Sequence, residues 1–507
     1  MLKIKPLTFI AIAMLWLSIA VISCKKDRPA NQDETLTAGP DLNFYALTSD
    51  NKLLLLNAKS PTTISAQLTI TGLQSGETIL GIDFRPATGQ LYAIGSTSRL
   101  YIIDQKTGTA RAVNTTPFTP AVSGTNAGFD FNPTVDRIRL ISTTGQNLRL
   151  NPETGTVAAE DGLINGVGNA KIGSVAYTQN TAGATTTVLF DIDVTNDKLH
   201  KQDPPNDGKL MEIGSLGYDV DEVGGFDISP AGTAIAAMRA AGKSALFTID
   251  LTTGKAAKIS NMDQQIIGIA IPTNPVAYGV STSNELLIFN HLSATPNIVT
   301  KSITGLQAGE NILGIDMRPL NGQLYALGST SRIYTINASS GAASVVGTGP
   351  MATLLVGTQF GFDFNPTVDR IRIVSNTGQN LRYNPIDASV LVDGAITLAT
   401  ANITGAAYTN NFAGATSTVL FDIDALGDRL YKQDPPNNGT LVDVGPLGIN
   451  IESSNGFDIG GTSGIAYGIF TVGTVQKIYT VNLTTGAATA GATITSAVRG
   501  FTVGLGF

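Results

Sequence analysis

The sequence predicts an all-β protein, two tandem β-propellers of five blades, each closed by its C-terminal strand. Three observations carry that prediction: the chain repeats at an offset of 233 residues, each copy contains a shorter period of about 47, and turn residues punctuate short β-type runs throughout. Leu-Gln-Ser-Gly-Glu at 73–77 returns as Leu-Gln-Ala-Gly-Glu at 306–310, and Gly-Phe-Asp-Phe-Asn-Pro at 128–133 returns at 361–366. Further on the offset slips to 231, where Lys-Gln-Asp-Pro-Pro-Asn at 201–206 returns at 432–437. A period near 47 is about one four-stranded propeller blade. Dividing 233 by about 47 gives five blades per copy, and ten in a single ring would exceed the usual four to eight, so two rings are expected.

Residues 1–23 read as a secretory signal peptide, with Lys3 and Lys5 ahead of an apolar run from Leu7 to Val21 that ends at Ser23. The single cysteine follows directly, in Val21-Ile22-Ser23-Cys24. That segment resembles the lipobox of bacterial lipoproteins, a family in which the cysteine is acylated and becomes the new N-terminus. Residues 24–41 are then the lipidated Cys24 and a polar tether with little to bury. Removing 1–23 leaves 30 basic and 39 acidic residues, a charge of −9. An acidic globule is repelled by anionic lipid, so the partner expected for the anchor is a membrane gripped by acyl chains rather than by protein surface. The location this implies is the bacterial cell envelope, at the outer membrane, and the acidity argues against nucleic acid as a partner.

The first propeller is expected over 42–272 and the second over 273–507. Within each, a [DN]-x-x-[ST]-G turn recurs, at 104–108, 151–155, 250–254, 337–341 and 482–486. An Asx side chain that bonds its own backbone, followed by Gly where φ is positive, makes a short hairpin loop. The unit that opens each copy has only three strand-like runs, and the missing fourth appears at the far end of the copy, as Gly268-Ile269-Ala270-Ile271 and Gly500-Phe501-Thr502-Val503. Closing a ring this way removes exposed sheet edges.

The long repeated segments Gly-Phe-Asp-Phe-Asn-Pro-x-x-Asp-Arg-Ile-Arg, Gln-Asn-Leu-Arg and Gln-Asp-Pro-Pro-Asn resemble the bacterial family of domain of unknown function 4394, in two copies over about 42–507. The resemblance implies no activity.

Composition narrows the chemistry. Two His and one Cys exclude a Cys/His metal framework, and with no Gly-x-Ser-x-Gly elbow they also deny the parts for nucleophilic catalysis. His200 falls on Tyr431 and His291 on Ala58 of the other copy, which makes both packing or surface residues. The two copies share carboxylates and arginines. The Gly-x-Asp opening of a blade supplies Asp83, Asp130 and Asp227, and again Asp316, Asp363 and Asp458. On innermost strands these form an acidic ring at the mouth of a channel, suited to Ca²⁺ or a polar ligand, with no other cofactor implied. The competing role is structural, the carboxylates accepting hydrogen bonds from a neighbouring blade's backbone or from Arg85 and Arg318. Asp191 with Asp193, and Asp422 with Asp424, stand two apart on a strand and so share a face, as metal ligands would, although turns also favour Asp. Arg137 and Arg139, with Arg370 and Arg372, offer a basic face for an anionic ligand or an Asp–Arg ladder between blades.

The function expected is a lipid-anchored, non-catalytic binding or scaffold module for a protein or glycan. The one Trp, Trp16, lies in the signal segment, so stacking on sugars would fall to Tyr and Phe. The alternative is a carboxylate-based glycoside hydrolase or lyase working from the channel Asp residues.

Overall fold

A computed structural model describes residues 35–398 and 400–507; the expected signal peptide and Cys24 lie outside the described residues. The described chain is all-β, ten four-stranded antiparallel sheets in two tandem domains of five. Its helical elements are two single 3-10 turns, Pro205–Asp207 and Pro436–Asn438, at equivalent places in the two halves.

Eight of the ten sheets are built from four consecutive strands. The other two are completed by the end of their own half. Ile266–Ala270 pairs with Asn43–Thr48, setting Ala270 against Tyr45, and Val498–Val503 pairs with Ala277–Ser281, setting Val503 against Ala277. The hairpin chemistry acts as the motif demands. Asp104 Oδ1 accepts the Lys106 and Thr107 N–H groups at 2.8 and 3.0 Å, and Gly108 follows with φ +73.

In the first half the opening strands of successive sheets touch in sequence. Ile79–Phe84 lies against Ala127–Asn132, then Ile172–Tyr177, Val220–Ile228 and Ile266–Ala270, which returns to Ile79–Phe84. The second half repeats the circuit through Ile312–Met317, Phe360–Asn365, Ile403–Tyr408, Ser453–Ile459 and Val498–Val503. Such close approach needs glycine. A Cβ on Gly225, at φ +151, would stand 2.4 Å from the Ile269 nitrogen, and one on Gly456 2.5 Å from the Phe501 Cβ. Between successive sheets the facing side chains interdigitate, as where Tyr92, Ile94 and Leu100 meet Phe129, Phe131 and Leu140. Each such side chain buried contributes roughly 1.5–3 kcal/mol.

The two halves belong to one compact unit, 35–507, and every strand pairing lies inside it. Thr37 donates to the Lys258 carbonyl through its N–H at 2.8 Å and its hydroxyl at 3.0 Å, so contact with the first half begins ahead of the expected boundary at 42. Arg85 lies at the joint between the halves with 0% exposure. It pairs with Asp136, lies 3.1 Å from Glu153 Oε1, and donates across the joint to the carbonyls of Gly322 at 3.2 Å and Asn321 at 3.3 Å. The Tyr278 hydroxyl adds a bond to the Ala87 carbonyl at 3.0 Å.

Candidate functional site

The strand that opens each sheet is an edge strand, and an edge leaves a row of N–H groups without partners. The Asp of Gly-x-Asp answers that need. Asp83 Oδ2 accepts the Phe131 N–H of the next sheet at 2.8 Å, Asp130 Oδ1 the Tyr177 N–H at 3.0 Å, and Asp227 Oδ2 the Ile271 N–H at 2.5 Å. In the second half Asp316 takes the Phe364 N–H at 2.8 Å, Asp363 that of Tyr408 at 2.9 Å and Asp458 that of Val503 at 2.7 Å. The side chains converge. Asp83, Asp130 and Asp227 each bring a carboxylate oxygen within 4.8 Å of the other two, and Asp316, Asp363 and Asp458 do the same.

All six are 1% exposed, so these carboxylates are sealed within the circuit of inner strands rather than standing at a channel mouth. Burial, and then the neighbouring carboxylates, push Asp83, Asp130, Asp316 and Asp363 well above the usual range, while burial lifts Asp227 to about 7 and Asp458 to about 6. Each group can thus hold a proton or, with its neighbours, a cation. The cavities along the inner strands beside the two triads are only about 10 Å³ each, the scale of one water. The triads differ at one position of the same layer, Ala270 in the first half and Thr502 in the second. The Thr502 hydroxyl lies 2.8 Å from Asp458 and 3.0 Å from Asp316.

Asp191 and Asp193 share a strand face but not a task. Burial raises Asp193, but the nearby His200 and the bonds from Asn196 and the Lys171 and Thr195 N–H groups outweigh it and bring the carboxyl down to about 2. Asp424 accepts the Asn402 and Leu426 N–H groups in the same way. Asp191 and Asp422 are 0% exposed and neither carboxylate makes a hydrogen bond; burial raises both, Asp422 to about 8. Among the described residues no third Asp, Glu, His or Cys joins either pair as a metal group.

The arginines are committed to protein. Arg139, 2% exposed, donates to Asp161 at 2.6 Å, to Asn147 at 2.7 Å and to Asn206 of the next sheet at 2.8 Å, and Arg372 repeats this with Asp393, Asn380 and Asn437. Arg137 and Arg370 donate to the carbonyls of Asp136 and Asp369. Arg85 and Arg318 bond Asp136 and Asp369 rather than the triads. His200 is buried 3.5 Å from Asp193, and His291 packs edge-on against Tyr467, its pKa lowered by burial to about 4.

The repeat offers no direct sign of a cleft of about 500 Å³ where residues 102–111 of the first half face 410–414 and 461–464 of the second. Lys106, Arg111 and Phe412 line it. Their counterparts in the other copy are Ser339, Ser344 and Thr181, so the signal lies in where the copies differ.

The family model described as Domain of unknown function (DUF4394) matches residues 52–270 and 285–502. No curated protein matches the chain.

Proposed function

The chain belongs to the family of domain of unknown function 4394 in both halves, and from that premise we propose that it is a lipid-anchored module of the bacterial cell envelope that binds a ligand or partner without catalysing its conversion. In this reading each half is a five-bladed β-propeller, its first blade completed by its last strand, and Cys24 carries the acyl chains. The circuit of inner-strand contacts in each half supports the propeller, because sheets arranged otherwise would not return to the first.

The observation that carries the binding role is where the polar groups go. The triad carboxylates and the Arg139 and Arg372 guanidiniums that both halves share are buried and tie one sheet to the next, while the cleft is lined mainly by residues that differ between the halves. A glycoside hydrolase or lyase working from Asp83 and Asp316 would need a sugar to reach carboxylates that are 1% exposed beside cavities of about 10 Å³. The test is a screen of the chain from Lys25 onward against glycans, envelope proteins and matrix components. Saturable, stoichiometric binding without product formation supports the reading; turnover that Asp83→Asn or Asp316→Asn abolishes in a folded protein overturns it.

A further inference from the structure

The two halves meet unevenly. On one side of the joint the turn 337–341 of the second half closes onto the first, where Ser339 donates to the Pro133 carbonyl at 3.4 Å, and Ala338 is 3% exposed. The equivalent turn of the first half, 104–108, stands open to the cleft and carries Gln105 and Lys106 in place of Ala338 and Ser339.

Two cations line this cleft and, among the described residues, neither forms a salt bridge. Arg111 donates to the Leu320 carbonyl and makes no ion pair, and Lys106 makes none. Burial holds the Arg111 guanidinium below its usual range; Tyr92 and the Asp369 carboxylate oppose that, and Arg318 adds repulsion. The one carboxylate in the lining, Asp104, uses Oδ1 on the Lys106 and Thr107 N–H groups of its own turn. Opposite them Phe412 is 39% exposed, an aromatic ring where the other copy has Thr181. Ile102 and Leu505 give the cleft apolar walls. Its volume of about 500 Å³ falls in the range of small-molecule sites.

We propose that this cleft binds a small amphipathic organic anion, its charged head held by Arg111 and Lys106 and its flat or apolar body laid against Phe412 and Ile102. The proposal rests on the binding-module reading, but not on the lipid anchor. A half-buried guanidinium and an ammonium in one lining favour a carboxylate, sulfonate or phosphate head, and an aromatic ring with aliphatic walls favours a flat body over an inorganic ion.

The probe is 1-anilinonaphthalene-8-sulfonate, titrated by fluorescence into the chain from Lys25 onward, which keeps every strand pairing, with N-phenyl-1-naphthylamine as the uncharged analogue. One saturable site is expected. Replacing each residue by its counterpart in the other half, Lys106→Ser and Arg111→Ser should each weaken the sulfonate roughly tenfold, and Phe412→Thr should weaken both probes about fivefold. Arg111→Ser also removes a bond across the joint, so Lys106→Ser and Phe412→Thr, whose side chains make no hydrogen bond across it, decide the matter if it loosens the fold. Affinity that none of the variants changes, several equivalent sites, or equal binding of the uncharged probe would overturn the proposal. If the sulfonate fails while the chain still captures an envelope partner, the cleft assignment falls and the binding-module reading stands.

Discussion

Replacing Asp363 by Asn should make the protein more stable at neutral pH and leave it unchanged at acid pH. Asp363 Oδ1 accepts the Tyr408 N–H, whereas Oδ2 is buried with no hydrogen bond and its carboxyl shares the triad with those of Asp316 and Asp458. The amide keeps the acceptor and puts a donor in place of Oδ2. Burial and both neighbours raise the Asp363 pKa in the folded state. Below about pH 3 folded and unfolded chains are both protonated, and the stability due to this group is complete. As pH rises the unfolded chain releases its proton first, and stability falls until the folded group releases its own. Asp458 gives the scale. It titrates at about 6 against an ordinary 3.8, roughly two units at about 1.4 kcal/mol each, or about 3 kcal/mol. Asp363 is displaced well above the usual range and should cost at least as much. The variant's advantage is therefore near zero at about pH 3 and about 3 kcal/mol at about pH 8, a rise in melting temperature of roughly 6–12 °C in a domain of this size. Thermal unfolding followed by circular dichroism at both pH values measures it. A variant less stable than the parent at pH 8, with a loss that chelator treatment of the parent reproduces, would refute proton sharing and show a triad that holds a cation.

Gly225→Ala and Gly456→Ala should each cost more than about 2 kcal/mol in urea unfolding, because the new Cβ collides with the adjacent inner strand; Gly242→Ala, also at positive φ but in open space, should cost about 1 kcal/mol. Arg85→Met should lose roughly 3–5 kcal/mol by stranding Asp136 and Glu153. Arg318→Met should lose less, since Arg318 pairs with Asp369 alone and is 9% exposed, and limited proteolysis should open the segment 272–275 in the Arg85 variant only. Cys24→Ser should abolish incorporation of labelled palmitate in the bacterium and move the protein to the soluble fraction.

The sheets were legible because their determinants are local. The Asx-Gly hairpins and the alternating runs each need only a few neighbouring residues, and most are read a second time 231–233 residues further on, as is the displaced fourth strand. The candidate site was legible in composition but not in environment. Gly-x-Asp marked the six carboxylates that converge as two triads, yet whether an Asp on an inner strand faces solvent or an N–H group of the next sheet depends on contacts some 44–48 residues away. Asp191 and Asp193 show the same limit. Strand alternation places them on one face, but only the folded environment gives Asp193 its several donors and Asp191 none.

The cleft was illegible for a different reason. In a duplicated fold the residues that both copies share serve needs that recur, here the inner edges and the ties between sheets. The needs that arise once, at the joint, fall on positions where the copies differ. Ser339 and Ala338 suit a turn pressed against the other half, while Lys106 and Gln105 suit the same turn left open. Phe412 extends the pattern, an exposed ring in a loop whose other copy, around Ala182 and Gly183, packs against the apolar cluster of Ile288 and Val299. Physical reasoning therefore assigns stability to the repeat and recognition to its exceptions. The prediction that separates the two roles is that Lys106→Ser and Phe412→Thr alter binding while leaving the melting temperature where it was.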